Sequence, residues 1–237
     1  MTRKTWLWLS AITILTVLVA YQAVVTSTGD RDREFAARAD VPTVQPGVDV
    51  LGGITFVPWR VRHYDYHRAA FGEAWTDDND APGGHNGCDT RDDILSRDLV
   101  DKTYVSVKRC PNAIAGGTLR DPYTNATVVF QRGAKVGESV QIDHIVPLSY
   151  AWDMGAYGWP EAERLRFAND PANLLAVSGP ANQDKGDMAP GQWMPRNAGF
   201  ACQYAIQFIA VLRGYSLPID QASTGVLRAA AATCPAG

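Results

Sequence analysis

Residues 140–187 constrain the fold more than any other stretch of the chain. Val140, Ile142, His144 and Val146 alternate with Gln141, Asp143 and Ile145, a period-2 run that stops at Pro147. A second short apolar run, residues 173–177, ends at Ser178-Gly179-Pro180. Ser178 suits a helix N-cap, so residues 181–187 read as the first turns of a helix. The order is strand, long excursion, strand, helix. Regular alternation puts Asp143 and His144 on opposite faces of the first strand. For both to meet one substrate, the strand must end or bulge there, and Pro147 supplies an ending.

The residue types suggest a chemistry. His144 is a base that works near neutral pH. Asp143 and the side-chain carbonyl of Asn182 are hard oxygen donors, which suit Mg²⁺ or Mn²⁺ better than Zn²⁺. Asn173 can hydrogen-bond a backbone group and so fix the strand that carries the base. Lys185 follows Asn182 by one helical turn, so its ammonium can share that face. A base, an oxygen-bound metal and a cation are the parts needed for water attack on a phosphodiester. Read singly, each has a plainer role as a cap, a turn residue or a solvated helix face.

Asp143-His144-Ile145-Val146-Pro147-Leu148-Ser149, then Asn173-Leu174-Leu175, then Asn182-Gln183-Asp184-Lys185-Gly186 resembles the HNH (ββα-metal) nucleases. It is similar to the variant whose third motif residue is Asn, as in the HNH domain of CRISPR effector nucleases. A wider likeness, through Gly87-Cys88-Asp89-Thr90-Arg91, is to exported actinobacterial HNH proteins. Those share a domain with the C-terminal part of type IV restriction enzymes, which act on modified DNA. The resemblance covers roughly residues 64–234. It implies His144 as general base, Asp143 and Asn182 as metal ligands, and Asn173 as the residue that orients the base. Many members carry His where this chain has Asn182, a departure that favours Mg²⁺ over Zn²⁺ or Ni²⁺.

The rest of the chain adds context. Arg3 and Lys4 precede about twenty residues without a charge, which reads as a signal peptide or N-terminal membrane anchor within residues 1–28. The charge asymmetry leaves the remainder extracytoplasmic, either secreted or anchored. Residues 29–50, polar and then Pro-containing, read as a flexible linker. Residues 75–84 read as turn chemistry, and His63 and His67 as surface residues. Asp89 or Thr90 caps an amphipathic helix carrying Ile94, Leu95 and Leu99. Arg91 in its first turn is misplaced for the helix dipole, which suggests an anion partner such as a phosphate.

Residues 102–135 read as β structure, with a turn at 121–125. Lys102, Lys108, Arg109, Arg120, Arg132 and Lys135 stand against the single acid Asp121 there, a net of +5. The chain after residue 28 carries 20 basic and 25 acidic residues, a net of −5. Binding of nucleic acid by overall charge is thereby excluded, and a local basic sheet beside a metal site is the consistent alternative. Residues 150–156, 160–167, 197–212 and 220–233 read as helices.

Cys88, Cys110, Cys202 and Cys234 contain no C-x-x-C pair, which argues against a zinc knuckle. An even count on an exported chain suggests two disulfides. Of three pairings, Cys88–Cys110 and Cys202–Cys234 are preferred because each closes a short local loop.

These readings converge on an α+β fold. It is a ββα-metal (HNH) nuclease core with a small antiparallel sheet and packed flanking helices, disulfide-stabilised and spanning residues 51–237. The expected activity is Mg²⁺-dependent endonucleolytic hydrolysis of DNA, with RNA as the other polynucleotide. His144, Asn173, Lys185 and Arg91 form the expected catalytic set, and Asp143 and Asn182 the metal set. Two alternatives stay open: a nuclease-like binding domain without activity, and a hydrolase of another phosphodiester polymer.

Overall fold

The structure, a computed structural model, describes residues 42–133 and 139–236. The chain divides into units 1–40 and 41–237, and the second is described here. The expected signal or anchor segment and residues 29–41 of the expected linker lie outside the described residues, as does Lys135. Among the described residues no helix is long and apolar enough to cross a membrane.

The strand–strand–helix order read from the sequence is present. Strand β5 (Val140–His144) pairs antiparallel with β6 (Leu174–Ser178), in a register running from Val140 opposite Ser178 to His144 opposite Leu174. Helix α4 (Gly179–Lys185) follows at once. Ser178 caps it, its hydroxyl accepting the Ala181 N–H at 3.4 Å.

Before this unit lie β1 (Phe56–Val57), helix α1 (Thr90–Asp98) and strands β2 (Val100–Val107), β3 (Cys110–Arg120) and β4 (Thr127–Gln131). The last three form an antiparallel sheet. Between β5 and β6 lie α2 (Leu148–Asp153) and α3 (Glu161–Asn169). After α4 come α5 (Ala201–Gly214), β7 (Ile219–Asp220), which pairs in parallel with β1, and α6 (Gln221–Ala231).

Period-2 geometry explains why β6 is buried on both faces. Leu174 and Ala176, with Val140 and Ile142 of β5, join a smaller core with Ile94, Leu95 and Leu99 and with Ile114, Leu119 and Phe130 of the sheet. Leu175 and Val177 face the larger core, which contains Trp152, Phe167, Tyr204 and Phe208. The ββ pair is thus the septum between two apolar layers.

Caps and turns carry the boundaries. Asp89 caps α1 by accepting the Asp92 N–H at 2.7 Å. Asp121, the one acid of the basic stretch, is fully buried. Its carboxylate accepts the Ser178 N–H at 3.2 Å and the Ser178 hydroxyl at 2.8 Å, tying the β3–β4 turn to the start of α4. Pro160 occupies the cap of α3, one position earlier than its sequence suggests. Residues 42–50, assigned above to the linker, carry tertiary contacts. The Val44 N–H donates to Pro235 at 3.0 Å, and Asp49 pairs with Arg228.

Both disulfides are the local ones. Cys88–Cys110 ties the loop before α1 to the start of β3, and Cys202–Cys234 ties α5 to the C-terminal segment. They close loops of 22 and 32 residues. Chain entropy assigns each about 3–4 kcal/mol of stabilisation. Gly87, with φ at +92°, makes the turn that delivers Cys88.

Candidate functional site

A cleft of about 790 Å³ opens beside β5 and α4, lined by Asp143, His144 and Asn182 together with Arg62, Tyr64 and Arg68. Asp143 and His144 lie on opposite faces of β5, as the alternation requires. Both still reach the cleft because the strand ends at His144. Asn173 makes that ending. Its backbone carbonyl accepts the Ile145 N–H at 2.8 Å. Its side chain then clamps Val146, accepting the N–H at 2.8 Å and donating to the carbonyl at 3.2 Å. Asn173 is fully buried, so these bonds replace a ladder that would otherwise go unmade.

His144 is 6% exposed. Its Nε2 lies 2.9 Å from the Ala168 carbonyl oxygen. A carbonyl only accepts, so Nε2 carries the proton and Nδ1 keeps its lone pair. The ring stacks on Trp75 at 5.4 Å between centroids and 13° between planes. Trp75 holds φ at +62°, a conformation rare for a bulky side chain, which marks the contact as imposed by its surroundings. The Arg68 guanidinium sits over the Trp75 ring, 5.9 Å from its centroid.

The His144 pKa is pushed down to about 3, by burial first and then by the charge of Arg68; the Ala168 carbonyl opposes this and Lys185 adds to it. The folded value lies below the ordinary 6.5 of the unfolded chain, so the neutral imidazole favours folding above that pH. This contribution is lost as pH falls through 6.5 towards the folded value. Between about pH 7 and pH 4 it amounts to about 3 kcal/mol. Urea unfolding at the two pH values should show wild type losing this much more stability than His144→Gln. Equal losses would remove the claim that the buried ring is neutral.

Asp143 is held from inside the protein. Lys185 Nζ contacts its Oδ1 at 3.0 Å and its Oδ2 at 2.8 Å, and the Tyr123 hydroxyl donates to Oδ2. Burial and then the Asp143 charge keep the Tyr123 phenol well above its ordinary range, so it remains a donor. Lys185 also donates to the His144 carbonyl at 2.8 Å and has no exposed surface. Burial lowers its pKa and Asp143 opposes that. The expectation that Lys185 braces a phosphate from an open helix face is therefore corrected. Its position three residues after Asn182 turns it inward, towards the Asp143 carboxylate, which does most to offset its desolvation.

Arg91 is corrected too. Its guanidinium donates to the Val140 carbonyl at 3.0 Å and lies 6.0 Å over the Phe130 ring. It does not line the cleft. Its anion-like partner is a backbone oxygen of β5.

Three residues of the basic sheet are likewise engaged in internal contacts, while Lys108 and Arg109 are exposed. Lys102 donates to Ser96, Arg120 to Asn125 and Thr127, and Arg132 to Ile114 and the buried Asp92. None of these residues lines the cleft. The cation that faces it beside His144 is Arg68, exposed and with no carboxylate partner among the described residues. Arg68, Trp75 and Tyr123 were missed by reading the sequence. The only signal was the density of aromatic and basic residues in 59–75.

Could this donor set hold a metal? Asn182 donates its amide to Gln141 Oε1 at 2.8 Å, leaving its own Oδ1 without a partner among the described residues. Asp143 has one of its four lone-pair sites left after Lys185 and Tyr123. Among the described residues no group of three or more His, Cys, Asp or Glu is placed to hold a metal. Two hard oxygens on one cleft fit an ion of Mg²⁺ type that keeps several waters and completes its shell with substrate phosphate. They do not fit a tightly held ion, because Lys185 already offsets the Asp143 charge.

These groups bring an imidazole, a carboxylate and a carboxamide to one cleft, built on a strand–strand–helix unit. A family model for the C-terminal domain of GmrSD restriction endonucleases matches residues 89–229, more than half of the chain. The chain belongs to that family, which places it among nuclease-related restriction-enzyme domains. It is also similar to a protein of Arthroderma benhamiae described as an uncharacterized secreted protein. That relative is 37% identical over 149 residues, covering 62% of this chain and 68% of the relative. No solved structure matches.

Proposed function

We propose that this protein is an exported, metal-dependent endonuclease of the HNH (ββα-metal) type that hydrolyses phosphodiester bonds of DNA. The observation that carries this reading is His144. It is a neutral imidazole with Nε2 anchored and Nδ1 available, beside Asp143 and Asn182 on one cleft. The family membership supports a nucleic acid substrate, and the name of the secreted relative supports export.

In this reading His144 Nδ1 takes a proton from the water that attacks phosphorus. The new P–O bond forms as the bond to the leaving ester oxygen breaks. A bound phosphodiester adds negative charge beside the ring and raises its basicity when the base is needed. Asn173 fixes the ring-bearing strand end, and Arg68 offers the phosphate a cation. Asp143 and Asn182 would hold a Mg²⁺-type ion, whose chemistry is to neutralise charge developing on the phosphate and leaving oxygen. Tyr123 and Lys185 orient the Asp143 carboxylate.

The test is plasmid nicking by the oxidised protein with Mg²⁺ and with excess EDTA. Cleavage with Mg²⁺ that EDTA abolishes is the expected result. A folded sample that cuts neither DNA nor RNA with Mg²⁺ or Mn²⁺ would instead favour a nuclease-like binding domain.

A further inference from the structure

We infer that the part of the cleft wall contributed by residues 62–64 is a stacking platform for unpaired bases, so that the preferred substrate is a single polynucleotide strand. The inference rests on the nuclease reading above and adds the substrate class. Tyr64 lines the cleft yet is 99% exposed, and Tyr157, packed on the adjacent His63, is 51% exposed. His63 stacks on Tyr157 at 4.4 Å between ring centroids and 25° between planes, so a paired-ring surface already exists there.

The segment bearing these rings is braced. Arg60 donates to Asp153 at 2.5 Å and to the Asp187 carbonyl at 2.7 Å, and the His63 N–H donates to Asp153 at 2.7 Å. Tyr66 turns inward against Phe71 and Trp152. Inward anchors thus fix a backbone that presents Tyr64 outward, where it contributes nothing to the core.

The depth of the site points the same way. Asp143 and His144 are 5% and 6% exposed, so a scissile phosphate must reach inward. A single strand can bend its backbone into the cleft while neighbouring bases lie on the rings. A duplex keeps its base faces covered by stacking and cannot use them. Arg68 borders the same cleft and matches the charge of the strand, while Arg62 there is paired with Asp187. Stacking on an aromatic side chain is sequence-tolerant.

The experiment is fluorescence anisotropy of the full-length oxidised protein in EDTA, with one labelled sequence offered as single-stranded DNA, duplex DNA and single-stranded RNA. Single strands should bind roughly tenfold or more tighter than duplex. Tyr64→Ala should weaken single-strand binding by roughly 5- to 100-fold and leave duplex binding unchanged. Equal binding of single-stranded RNA and DNA fits recognition of base faces. Tighter binding of one of them identifies the sugar of the strand.

Equal affinity for duplex and single strand, or indifference to Tyr64→Ala, overturns the inference. If plasmid is still cut with Mg²⁺ in that case, the nuclease reading survives alone. If no nucleic acid binds and none is cut, both readings fall.

Discussion

His144→Ala should lower the rate of DNA cleavage by on the order of 10²–10⁴-fold while leaving the affinity for uncut DNA near that of the wild type. The expectation follows from where the ring sits. Nε2 is fixed by the Ala168 carbonyl and one face is covered by Trp75, so Nδ1 is the one ring atom left for chemistry. The substitution removes that atom and touches neither Arg68 nor the oxygen donors. Single-turnover cleavage, measured beside a melting curve, separates lost chemistry from lost structure. Cleavage near the wild-type rate by a folded His144→Ala protein would end the assignment of the base.

Lys185→Met should destabilise the fold by roughly 3–5 kcal/mol, a loss comparable to the whole stability of a marginal domain. The methionine leaves the Asp143 carboxylate buried with only Tyr123 as donor, and leaves the His144 carbonyl without its donor. Adding Asp143→Asn removes the stranded charge, so the double variant should recover most of the loss. Urea unfolding of both single variants and the double gives the coupling directly. A Lys185→Met protein as stable as the wild type would mean that the ammonium is not confined in this pair.

These outcomes bear on what could be read from the residues alone. Boundaries were legible because they are local. Pro147 stops β5, Ser178 caps α4, Asp89 caps α1, and both disulfides join cysteines close in sequence. Asn173 was legible because its partner is the next strand of the same unit. The directions of long side chains were not. Helical spacing points Lys185 outward and the helix dipole points Arg91 to an anion, but each turns towards an oxygen of a remote strand. The exposed guanidinium came from residue 68, whose turn packs against α3 and α2, and the ring that covers the base from residue 75, which packs against the smaller core. Helical spacing fixes which residues share a face; it does not fix whether that face finds a carboxylate behind it.

The two disulfides tie the stability of this fold to the redox state of its surroundings. A cytosol keeps thiols reduced, so there the chain lacks both cross-links. Together they supply several kcal/mol, against the 5–15 kcal/mol of net stability usual for a folded domain. Cys88–Cys110 also fastens α1, whose Arg91 holds the carbonyl at the start of the strand that ends in the base. The same covalent bonds thus act as a timer on the fold. The domain gains its full stability only once both have formed.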